Sequence, residues 1–150
     1  MRWKTQPIAS PIFSISFHET LPIVYLRVVA TIHNKEGEDM GAKVLEFGAE
    51  TRNRWFVLTD LTEFAFEKTA DMKKRDWNEY KWTEYMRQAL PTGLRGWAVI
   101  NNSDVPLVRQ SKIDEMPEMQ PITFVTEDIG SAHEWIVARA TASEAEHAAG

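Results

Sequence analysis

The sequence predicts an α/β fold: a mixed, mostly parallel five-stranded sheet that opens with an N-terminal β-hairpin and carries four to five helices. Three observations predict it. Two strand-like runs near the start are separated only by a short turn, later strand-like runs alternate with stretches of helical periodicity, and 150 residues suffice for one self-supporting domain. A single domain over 1–150 is the expectation, with 1–11 as an extension and 141–150 as a fraying, alanine-rich tail.

Pro7 and Pro11 discourage regular structure at the start, after which Phe13, Ile15 and Phe17 alternate with Ser14 and Ser16, as an edge strand with one wet face would. The segment His18-Glu19-Thr20-Leu21-Pro22 turns the chain into Ile23 to Val29, an almost unbroken apolar run suited to a strand buried on both faces. Asn34 is a good helix cap, and Met40, Val44 and Phe47 recur at helical spacing. Gly41 and Gly48 lie seven apart on nearly one face of that helix, which implies close approach to the sheet or to a ligand.

Trp55 to Asp60 reads as the next buried strand. The stretch Glu67 to Leu90 reads as two helices or one kinked helix, because Asp76-Trp77-Asn78-Glu79 has capping-box spacing. Trp97 to Ile100 is a further strand, followed by a short helix for which Pro106 suits the first turn. Ile122 to Val125 is the last strand. Asp128 or Ser131 caps a final helix with an apolar stripe of Ala132, Trp135, Ile136 and Ala140.

Composition excludes several classes of function. The absence of cysteine removes disulfides, thiolate metal sites and thiol nucleophiles. No apolar leader or membrane span is visible, so a cytoplasmic location is expected. The net charge is −5, and Ile113 to Gly150 holds eight acidic residues against Arg139 alone. The densest basic cluster, Lys73-Lys74-Arg75, is flanked by Asp71 and Asp76, so nucleic acid is not an expected partner. The histidines, at 18, 33, 133 and 147, show no metal-ligand spacing, and no glycine-rich phosphate loop opens a helix. No metal and no cofactor are expected. A triad of Ser103, His33 and Asp60 would lack a nucleophile elbow, so no catalytic residue is assigned.

The element order, ending in a strand followed by Asp128, Ala132, Trp135 and Ile136, resembles the SpoIIAA-like branch of the STAS family over about 13–139. The resemblance implies a non-catalytic module that switches protein partners or binds lipids or other apolar small molecules. The phosphorylated serine of the anti-sigma-factor antagonists follows an aspartate. The corresponding positions here are Glu67-Lys68-Thr69, without an Asp-Ser pair.

In open α/β sheets the site lies beyond the C-terminal ends of the parallel strands. That edge should collect Thr31, His33, Asn34, Asp60, Thr62, Asn101, Asn102 and Ser103, although caps and tight turns use the same residue types. Phe64, Phe66, Trp77 and Tyr80 supply an aromatic excess that no single sheet-facing helical stripe can bury. The expected function is therefore a binding or regulatory module for an apolar or amphipathic small molecule. The alternative is a protein-interaction module without a ligand, and a homodimer is compatible with either.

Overall fold

The computed structural model describes residues 3–9, 13–30, 34–50, 54–65, 72–104 and 106–149. Its elements are β1 (Trp3–Ala9), β2 (Phe13–His18), β3 (Ile23–Val28), α1 (Asn34–Glu50), β4 (Trp55–Asp60), α2 (Met72–Ala89), β5 (Leu94–Ile100), α3 (Gln110–Asp114), β6 (Thr123–Thr126) and α4 (Ile129–Ala149). The strands form one sheet in the order β1-β2-β3-β4-β5-β6. The first three are antiparallel neighbours and the rest pair in parallel, so the α/β class and the hairpin of β2 with β3 are as expected.

Four local readings are corrected. β2 is not an edge strand, because β1 pairs outside it despite Pro7. The ladder is irregular between Lys4 and Ile8, and an edge strand tolerates a proline at such an interruption. α2 runs unbroken through Asp76, because a cap acceptor inside a helix need not end it when the following turns are anchored by buried Trp82 and Met86. α3 begins at Gln110 rather than near Pro106, since the intervening chain is held by Asn101. α4 extends through 141–149, where composition suggests fraying. Arg54 donates from Nη1 to the Ser143 carbonyl at 2.7 Å and ties that end down.

Alternation along each strand divides the core in two. One face presents Ile15, Val24, Leu26, Val57, Trp97 and Val99 to Met40 and Val44 of α1, Trp82 and Met86 of α2, and Ile113 of α3. The other presents Ile23, Phe56, Leu58, Ala98 and Ile100 to α4. Successive parallel strands laid down in one direction put right-handed crossovers on the same side, which leaves the opposite side to the final helix. Asp128 caps α4, its Oδ2 accepting from the Ser131 amide at 2.8 Å and the Ser131 hydroxyl at 2.6 Å. Those bonds to the ionised form lower the Asp128 pKa.

The docking stripe of α4 is Ala132, Ile136 and Ala140, all fully buried. Trp135 flanks it, half-buried, stacked on Phe124 with ring centroids 5.4 Å apart and covered by the Arg139 guanidinium at 4.6 Å. Trp135→Ala should therefore cost about 1 to 2 kcal/mol, less than the 3 to 5 of a fully buried aromatic. A urea midpoint shifted as far as that of a core tryptophan variant would contradict this placement.

Of the two glycines, only Gly48 meets the close approach that their spacing suggests. A Cβ at Gly48 would stand 2.6 Å from Cε2 of Trp55, so only glycine lets α1 lie this close to β4. At Gly41 the nearest atom is Cε1 of Tyr85, 3.6 Å away, an ordinary contact.

Candidate functional site

Two places in the molecule bring together the residue types that sequence reasoning selects. The first is the C-terminal edge of the parallel strands. Asp60 ends β4 there, only 6% exposed, on the face that α4 covers. Its carboxylate accepts from the Tyr25 hydroxyl, from the Thr62 amide at 2.9 Å and from the Thr62 hydroxyl at 2.6 Å. The His133 ring on α4 lies 6.1 Å from that of Tyr25. Burial, reinforced by the hydrogen bond to Asp60 and its charge, raises the Tyr25 pKa. Burial lowers that of His133, against the opposing pull of Asp60. Burial thus favours the neutral form of both side chains beside Asp60. Arg27 and Glu63 pair beside them at the surface.

The rest of this edge is built as turn structure. Asn101, buried, donates from Nδ2 to the Val108 carbonyl at 2.6 Å and accepts from the Val108 amide at 3.3 Å, closing the loop before α3. Asn102 donates to the Phe64 carbonyl at 3.2 Å and accepts from the Asp104 amide at 2.9 Å. Ser103 is exposed and Phe64 is core. Thr31, His33 and Phe66 lie outside the described residues. Asn34 begins α1 and Trp77 lies in α2, with their side chains likewise outside the description. Asp60 therefore gathers Tyr25 and His133, which sequence reasoning missed, rather than Asn101 and Ser103. The signal for Tyr25 is its odd position on β3, which turns it to the α4 side. For His133 it is the position next to Ala132.

The second place is a crevice between α1 and α2. Its floor is Leu26 of β3, its walls include Met40, Val44, Trp82 and Met86, and its volume is about 250 Å³. Tyr85 and Leu45 stand at the mouth, 36% and 40% exposed. Tyr80, one turn earlier on α2, is 58% exposed and turned away from the core. The surface of the crevice is almost wholly carbon, and its described polar groups are those of Glu38 and Gln88, the Tyr85 hydroxyl and the Trp82 indole N–H. Unbranched Met40 and Met86 are polarizable and adjust to irregular shapes, which suits a site that must accept a guest. A wider concavity of about 430 Å³ lies near the N-terminal ends of β4 and β5. Its Arg139 is already engaged, with the Pro121 carbonyl at 3.0 Å and with Trp135.

Among the described residues no group of three or more histidine, aspartate or glutamate side chains could hold a metal ion. No described helix is long and apolar enough to cross a membrane. No protein-family model matches the chain, and no curated protein matches its sequence.

Proposed function

We propose that the protein is a non-catalytic binding module that takes an apolar or amphipathic small molecule into the crevice between α1 and α2. The observation that carries this reading is an apolar cavity, floored by the sheet and lined by Trp82 and two methionines, that the surrounding side chains leave open. Burying bare apolar surface is favourable by about 25 cal/mol per Å², so an unfilled carbon-lined cleft has an inherent affinity for hydrocarbon. The SpoIIAA-like branch of the STAS family is the class proposed, on the order of elements and the ending of the chain. Its ligand-binding role accords with this crevice. The polar cluster at Asp60 is read as a brace, because hydrogen bonds from Tyr25 and Thr62 converge on its carboxylate.

Gly41→Leu tests the reading. The helix gains stability on losing an interior glycine, by up to about 1 kcal/mol, and the new side chain points over Tyr85 into the crevice. Native mass spectrometry is expected to show a bound small molecule on the purified wild-type protein and none on the variant, whose melting temperature should be unchanged or raised. A variant that still carries the same bound mass would overturn the assignment. One observation favours a second reading, a protein-docking face: Tyr80, Tyr85 and Leu45 are exposed on the outer side of the same two helices. Under that reading Tyr80→Ser would abolish a dimer or partner complex, while the ligand reading leaves its bound mass intact.

A further inference from the structure

The crevice is carbon-lined except at its mouth, and the charges there are unevenly satisfied. On α1 Lys43 pairs with Glu46 at 3.7 Å. On α2 Arg87 pairs with Glu84 at 2.7 Å and reaches Glu118 at 3.8 Å. These cations are thus neutralised by carboxylates outside the crevice. Among the described residues Glu38 is the one charged side chain lining it, and there it has neither an ion-pair nor a hydrogen-bond partner. The amide of Gln88, which also lines it, can accept a hydrogen bond from a donor head.

We propose that the occupant is a cationic amphiphile, an alkyl or aryl chain ending in an ammonium group, whose head lies against Glu38 while its apolar body fills the space over Leu26. This rests on the crevice being the binding site. Size is set by the cavity: an apolar cavity of about 150 Å³ holds benzene, so about 250 Å³ takes a chain of roughly eight to ten heavy atoms. Sign is set by Glu38, which would repel a fatty-acid carboxylate and attract an amine. Because Glu38 is exposed, the head contributes discrimination and the chain contributes most of the affinity.

The experiment titrates the full chain with n-octylamine, n-octanol and n-octanoate below their micellar concentrations, followed by NMR of the Met40 and Met86 methyl groups. The amine should bind about two- to fivefold more tightly than the alcohol, and the carboxylate more weakly than the alcohol by a similar factor. Added salt should narrow both gaps. Glu38→Gln should make amine and alcohol equal without altering the alcohol, and Glu38→Lys should place the carboxylate first. Equal binding of all three by the wild type, or an amine preference that survives Glu38→Gln, overturns the cationic head while leaving the crevice as a binding site. Failure of all three to move either methyl signal overturns the crevice itself.

Discussion

Trp97→Ala is expected to lower the stability of the protein by about 3 to 5 kcal/mol, a large share of what a domain of this size possesses. Trp97 is fully buried on β5, between β4 and β6, facing the side that α1, α2 and α3 cover. Its indole donates to the Thr59 hydroxyl at 2.8 Å, and Thr59 is itself fully buried. Removal of the ring would open a cavity and strand that hydroxyl in a dry interior. Trp97→Phe separates the two contributions. It keeps most of the volume but leaves Thr59 without its donor, for a loss of about 1 to 3 kcal/mol. For 150 residues the alanine variant should melt lower by about 10 °C. An alanine variant within 1 kcal/mol of wild type in urea denaturation would mean that Trp97 is not buried between the sheet and its helices.

The second large effect is expected at Asp60. Asp60→Ala removes the acceptor shared by the Tyr25 hydroxyl and by the amide and hydroxyl of Thr62, and should cost about 2 to 4 kcal/mol. Asp60→Asn keeps an acceptor toward Thr62, and Tyr25 can turn its hydroxyl to accept from the new amide. About 1 kcal/mol should suffice for it. Since β3 and β4 pair with Arg27 opposite Asp60, the substitution also loosens the register where α4 crosses the strand ends. Stability is the readout that matters. If Asp60→Ala folds as well as wild type yet loses its bound ligand, the carboxylate is a recognition group and the crevice is not the site.

Legibility in the sequence follows how local each signal is. Phe13 to Val29, Trp55 to Asp60 and Trp97 to Ile100 announce themselves as strands because burial on one or two faces writes a period of two, or an apolar run, into adjacent residues. Gly48 is legible for the same reason: a helix with glycines seven apart states that something large lies opposite, and Trp55 does. β1 is not legible, because an edge strand needs few hydrogen bonds and can carry Pro7. Nor is the Tyr25, Asp60 and His133 cluster, whose members lie on β3, β4 and α4 and meet only once the sheet has its order. Asn101 shows the converse error: an amide at a strand end has a binding group's chemistry, and here a loop uses it. The crevice was half legible. The excess aromatics of α2 implied a surface beyond the core, but Trp82 and Tyr85 line it with Met40 and Met86, whereas Tyr80 faces outward.

The sequential strand order also bears on how the chain is made. Each strand pairs with the one synthesised just before it, so the sheet can lengthen at a single growing edge, and no strand has to be threaded between two already in place. The side covered by α1, α2 and α3 acquires its helices as it grows. The other side waits for α4, which is synthesised after all six strands. Until then Phe56, Leu58, Ala98 and Ile100 form a bare apolar strip, and a nascent chain halted before Ile129 would offer it to any neighbour. In this fold the docking of α4 closes the interval in which that strip is open to aggregation.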